Sequence, residues 1–182
     1  VKHIITVMVE NKPGVLARVV GLISGRGFNI DSLNVAPTQD PTVSRMTIQV
    51  PGDDRVLEQV TKQLNKVVDV IKVSDLTTER FVDRELIVVK VGVPSDKRGE
   101  IKELAGLLKA EVVSVQADSV VLEMTGNQER VAEFLGLLAP FRILDISRSG
   151  VIAVVKGDTT RQNEDAGRSA PKSGGKGEAE KK

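Results

Sequence analysis

Two hydrophobic periods alternate along the chain. Ile4, Ile5, Val7 and Val9 make a dense apolar run of strand length, and Leu16, Val19, Val20 and Ile23 then recur at helical spacing. The helix is expected from Gly14 to about Ser24, stopped by Gly25 and Gly27. The second strand, Phe28 to Val35, changes phase: Phe28 and Ile30 fall on one face, Leu33 and Val35 on the other, which predicts a bulge near Asp31 and Ser32. The stretch from Ala36 to Pro41 reads as a loop, too rich in proline for a strand. Val43 to Val50 is a third strand. Asp53 or Asp54 then caps a helix with Val56, Leu57, Val60, Leu64 and Val67 in phase. A fourth strand runs from about Asp69 to Leu76. The order is β-α-β-β-α-β, with four antiparallel strands carrying both helices on one face.

After a connector from Thr77 to Asp83 the same order returns. Leu86 to Val93 is a strand, and Ser95-Asp96 opens a helix that turns Ile101, Leu104 and Leu108 inward. Glu111–Ala117 and Ser119–Thr125 form a strand pair. Asn127 caps a helix carrying Val131, Phe134, Leu135 and Leu138, and Ile143 to Val155 is a last strand interrupted near Gly150. The fold expected is α+β: two tandem βαββαβ ferredoxin-like sandwiches, over residues 1–77 and 78–157, without obvious sequence identity between them. Residues 158–182 contain no Val, Ile, Leu, Met or Phe and are expected to be a disordered charged tail.

Composition removes several functions. Cys is absent, which excludes disulfides, zinc ribbons and thiol chemistry. The net charge of +1 offers no electrostatic case for nucleic acid, and a chain with no Trp or Tyr and four Phe lacks a base-stacking platform. No apolar run approaches the ~18 residues of a membrane span, and no signal segment precedes the first strand, so a cytoplasmic protein is expected.

The chemistry looked for is mostly missing. His3 is the single histidine and, near a terminus, is expected to be exposed and without a catalytic or metal role. Gly25-Arg26-Gly27 follows a helix, the reverse of a dinucleotide-binding turn, and no Walker-type loop or catalytic carboxylate pair is found. Arg45 and Arg148 lie within strands, either on a solvated face or in an interface ion pair.

One stretch stands out, Asn11-Lys12-Pro13-Gly14-Val15-Leu16, where the first strand hands over to the first helix. Pro13 is expected in the first helical turn, where its missing N–H does no harm. The N–H groups of Gly14, Val15 and Leu16 lack helical partners there and, with the helix dipole, could receive a carboxylate. The same hexapeptide is also compatible with a plain strand-to-helix turn. Aspartate at position 14 would be tolerated unless the glycine has positive φ.

Taken with Arg26 to Leu33, Val35-Ala36-Pro37-Thr38, Ser44 to Ile48, Asp83 to Leu86 and Arg148-Ser149-Gly150, this stretch resembles a known family. The N-terminal unit resembles the ACT domain, an amino-acid-sensing βαββαβ module. Residues 2–157 together resemble the small regulatory subunit of acetolactate synthase (acetohydroxyacid synthase). The resemblance implies a non-catalytic chain that stimulates a catalytic large subunit and makes it sensitive to feedback inhibition, usually by valine. Thiamine diphosphate, FAD and magnesium would all sit on that partner and none on this chain. It further implies a homodimer formed by ACT sheets edge to edge, with the effector between the helix-one start of one chain and strand two of the other. Asn11, Gly14, Val15, Leu16, Asn29 and Ile30 are the candidate effector residues, with the amide oxygens of Asn11 and Asn29 for the ammonium. A micromolar to millimolar sensor is expected. A free-standing amino-acid sensor acting on another enzyme, and a small phosphate-ester hydrolase using Arg26 and Asn29, are the competing readings.

Overall fold

The structure is a computed structural model and describes residues 2–157, so the expectation for the tail lies outside the described residues. The first sheet holds β1 (Lys2–Glu10), β2 (Ser32–Pro37), β3 (Val43–Pro51) and β4 (Val70–Asp75), in the order β2-β3-β1-β4. Every pairing is antiparallel. Helices α1 (Val15–Ser24) and α2 (Asp54–Leu64) cover one face. Ile5, Val7, Val9, Met46, Ile48 and Val50 meet Val15, Val19, Ile23, Val60 and Leu64 there. Each such side chain contributes about 1.5–3 kcal/mol on full burial. Asp53 caps α2, its carboxylate accepting the Val56 N–H at 3.0 Å.

Two strand expectations need correction. β2 begins at Ser32, and Phe28 to Asp31 form a loop, so the phase change marks the strand's start and β2 pairs with β3 without a bulge. Ala36 and Pro37 belong to β2, opposite Arg45 and Ser44. An edge strand tolerates proline because one row of its backbone groups has no ladder partner to lose.

The second sheet is built on β5 (Phe81–Gly92), flanked by β7 (Ser119–Gly126), with β6 (Glu111–Val115) and β8 (Arg142–Arg148) outermost. Helices α3 (Arg98–Leu108) and α4 (Gln128–Leu137) close its core around Ile87, Val89, Leu122, Met124 and Phe134. Asn127 caps α4 through the Arg130 N–H, at 3.0 Å. The expected interruption falls at Ser149-Gly150-Val151. Beyond it β9 (Ile152–Val155) pairs with Phe81–Arg84, while β8 pairs with Ile87–Gly92.

The expected connector is therefore shorter than its sequence suggested. Phe81, Val82 and Asp83 are strand residues, because β9 pairs with them. This β5–β9 ribbon lies against the first sheet on the face away from its helices, where Ile4 and Leu76 pack with Val151, Ala153, Phe81 and Val155. His3 is correspondingly not exposed. It is 1% accessible, with Nδ1 3.2 Å from Thr77 Oγ1.

Candidate functional site

Lys12 to Val15 forms a tight turn. The Val15 N–H donates to the Lys12 carbonyl at 3.4 Å, and Gly14 sits at φ 83°, ψ −11°. Proline second and glycine third are what a type II turn requires, since its third residue needs positive φ. Pro13 thus precedes the helix cap and is not in the first helical turn as expected. The positive φ also puts a strain cost on aspartate at position 14, although nothing lies within 4 Å of where a Cβ would stand.

One of the three expected donors, Val15, is lost and Ala17 is gained. Val15 N–H is used in the turn and its side chain is buried in the first core, while the Arg18 N–H makes the first helical bond, to Gly14 O at 3.0 Å. The N–H groups of Leu16 and Ala17 are left at an exposed helix start that no side chain caps. Leu16 is 43% accessible, an apolar surface beside these donors. Asn11 immediately precedes the turn and is pinned: its backbone N–H donates to Thr42 O at 2.7 Å and its Nδ2 to Pro41 O at 2.9 Å. This leaves the amide oxygen as a lone acceptor.

Asn29 and Ile30 sit at the opposite end of the sheet, in the loop before β2. Asn29 Nδ2 donates to Asp31 Oδ1 at 2.9 Å, which again leaves an amide oxygen to accept. Asp31 is held by the Gln49 carbonyl through its N–H, at 2.9 Å, and by Lys2 at 3.4 Å. Within one chain, therefore, Asn11, Gly14, Val15 and Leu16 are together, and Asn29 and Ile30 are not with them. Arg26 and Asn29, the pair imagined for a hydrolase, turn to different partners: Arg26 to Leu22 O and Gln63, Asn29 to Asp31.

The loop at Asn29 borders a polar cleft of about 560 Å³ whose far wall comes from the second unit, including Glu85 on β5, Gln128 at the start of α4 and Arg148 on β8. Arg148 grips Glu85 with Nε and Nη2, both at 2.7 Å, and Glu85 is 3% accessible. The carboxylate beside it raises the Arg148 guanidinium above its ordinary value. Gln49 Nε2 donates to Gln128 Oε1 at 2.8 Å, across the cleft. Sequence reading anticipated an ion pair as one option for Arg148 but missed Glu85, Gln49 and Gln128, because each finds its partner far along the chain. Among the described residues no cluster of three or more His, Cys, Asp or Glu forms a cation site, and no helix is long and apolar enough to cross a membrane.

Comparison with known proteins covers both halves. Residues 5–72 match the AHAS small subunit-like ACT domain, and residues 84–157 match the family described as the small subunit of acetolactate synthase. The chain is 51% identical over 157 residues to the probable acetolactate synthase small subunit of Archaeoglobus fulgidus, covering 86% of this chain and 98% of that one. It is 41% identical over 158 residues to the acetolactate synthase isozyme 3 small subunit of Escherichia coli, covering 86% and 97%. The crystal structure of the acetolactate synthase small subunit from Thermotoga maritima superposes with a TM-score of 0.78 at 35% identity, over 87% of this chain and 99% of that one. The chain belongs to the family of acetolactate synthase small subunits, with an ACT domain as its N-terminal half.

Proposed function

We propose that this chain is the regulatory subunit of acetolactate synthase: it binds the catalytic large subunit, stimulates it, and confers feedback inhibition by valine in branched-chain amino acid biosynthesis. The reaction's cofactors then belong to the large subunit, and the cytoplasm is where the complex works. In this reading residues 1–77 bind the effector and dimerise, and residues 78–157 form the second regulatory unit.

The observation that carries the reading is the exposed helix start at Gly14, with the Leu16 and Ala17 donors and the amide oxygen of Asn11, whose Nδ2 is already engaged, on one contiguous turn. Such a start favours an anionic group, and the amide oxygen suits an ammonium. An α-amino acid presents both on one carbon. A second copy supplies the other half. β2 is an edge strand, and a two-fold axis normal to the sheet would run two such strands antiparallel. The Ser32 end of one β2 then meets the Pro37 end of the other. Asn29 and Ile30 precede Ser32, and Asn11 bonds Pro41 just after Pro37, so the dimer would unite the two half-sites. Leu16 and Ile30 offer apolar surface for a branched side chain.

The test is reconstitution. The purified chain is titrated into its large subunit, then valine into the complex. Stimulation followed by inhibition in the micromolar to millimolar range supports the proposal. Unchanged large-subunit activity at saturating chain rejects it.

A further inference from the structure

The two asparagine amides of the candidate site are held the same way round. Asn11 Nδ2 donates to the Pro41 carbonyl at 2.9 Å, and Asn29 Nδ2 donates to Asp31 Oδ1 at 2.9 Å. A carbonyl and a carboxylate accept hydrogen bonds and cannot donate them. Neither amide can therefore turn over without setting its oxygen against another oxygen. Both asparagines are exposed, and among the described residues neither amide oxygen accepts a hydrogen bond. Each side chain thus presents an acceptor to solvent and keeps its donors for the protein.

The two locks differ in kind. Pro41 offers a main-chain carbonyl, which the fold supplies whatever the side chain. Asp31 offers a side chain, and it is itself fixed. Its N–H donates to the Gln49 carbonyl at 2.9 Å, and its Oδ2 lies 3.4 Å from Lys2 Nζ. The Lys2 side chain is 60% accessible, so that ion pair adds little and the backbone bond does the placing. An asparagine at position 31 would keep the size but could donate as readily as accept, and two facing amides can turn over together. Only an acceptor-only side chain enforces one orientation on Asn29.

On the basis of the effector site of the proposed function, we propose that Asp31 is a specificity-determining residue: by fixing the Asn29 amide with its oxygen free, it makes the site select an α-ammonium. Asp31 does not touch the effector and acts through Asn29, as a positioning residue. An ammonium has three donors and no acceptor, so it satisfies the Asn11 oxygen of one chain and the Asn29 oxygen of the other. A 2-hydroxy acid has one donor at the same place and leaves one of the two oxygens unmet. Without Asp31 the Asn29 amide is free to turn over, and its NH2 can then donate to the hydroxyl oxygen. The preference for the ammonium narrows.

The test uses the full chain reconstituted with its large subunit and two inhibitors, valine and 2-hydroxy-3-methylbutanoate, which carries a hydroxyl in place of the ammonium. In Asp31→Ala the valine needed for half-inhibition should rise at least about fivefold while the hydroxy acid weakens less, so the preference for valine falls. Asp31→Asn should lose the preference too, and it covers the case in which Asp31→Ala fails to fold. In an Asn29→Ala background, Asp31→Ala should change the preference no further, because no amide is left to orient. A carboxylate acting directly on the ammonium's charge would still change it there, and that result overturns the assignment. So does an unchanged preference in both Asp31 variants while Asn29→Ala weakens valine, which leaves the effector site standing and removes Asp31 alone. If Asn29→Ala leaves valine inhibition unaltered, the effector site is misplaced and the role of Asp31 falls with it.

Discussion

Ser32 Oγ accepts the Val151 N–H at 2.9 Å, so the first residue of β2 is tied to the corner between β8 and β9 of the second sheet. The Asn29–Asp31 loop immediately precedes this tie. Under the proposed function this hydroxyl is one route from the loop to the second unit, beside the bond between Gln49 and Gln128.

Gly150 makes the tie possible. It sits at φ 76°, and a Cβ there would stand 2.7 Å from Ser32 Oγ. Gly150→Ala should destabilise the chain by about 1–3 kcal/mol through backbone strain and this clash. At roughly 2–4 °C per kcal/mol, the melting temperature should fall by several degrees. Ser32→Ala should cost about 1–2 kcal/mol by orphaning the Val151 N–H. Because Ser32→Ala also clears the space, the double variant should be less damaged than the sum of the two. Strict additivity in denaturant unfolding would contradict the contact.

Gly14 separates charge from shape. Both Gly14→Asp and Gly14→Asn must accept a positive φ, which these two residue types tolerate better than most. Each should lose about 1–2 kcal/mol of stability. Only aspartate places a carboxylate where the effector's would sit. In the reconstituted enzyme Gly14→Asp should raise the valine needed for half-inhibition about tenfold to a hundredfold, and Gly14→Asn distinctly less. Asn29→Ala should weaken valine as well, with stimulation retained. Equal effects of aspartate and asparagine would point to the turn's shape and away from an anion site.

Arg148 leaves a problem behind when removed. Arg148→Met strands the Glu85 carboxylate at 3% accessibility. Breaking a buried pair costs about 3–5 kcal/mol, and Arg148 is half exposed, so about 2–3 kcal/mol is expected. Glu85→Gln combined with Arg148→Met should recover part of that loss. Urea unfolding of the single and double variants measures both.

The loop beside Asn11 should loosen in acid. Asp40 accepts from the Thr42 hydroxyl and, at 2.9 Å, from its N–H, and these bonds hold its carboxyl below the ordinary aspartate value. A depressed folded-state value stabilises the ordered loop above the unfolded pKa, and that contribution is lost as pH falls through the folded one. The Thr42 amide resonance should therefore move with a midpoint below that of an unstructured aspartate, and Asp40→Asn should abolish the movement. A midpoint at the ordinary value would show that the carboxylate does not order the loop.

Much of the fold is legible along the chain because its signals are local. The periods at Val19 and Ile23 or at Met46 and Ile48, the caps at Asp53 and Asn127 and the break at Gly150 all depend on neighbours a few residues away. Each is read from sequence and reappears in the structure. The site is legible in part for the same reason: Asn11 to Leu16 is one contiguous turn and helix start.

What the sequence by itself determined is the order of elements, the α+β class and the residues of that turn, since hydrophobic period and turn chemistry act over short range. Tertiary structure alone decided the rest. It started β2 at Ser32, extended β5 back to Phe81 by pairing it with β9, and buried His3 beneath the connector. It also matched Glu85 with Arg148, 63 residues away, and left Arg45 facing a carbonyl with no carboxylate. These outcomes follow from burial and charge pairing between distant segments, and no local pattern encodes which distant segment arrives.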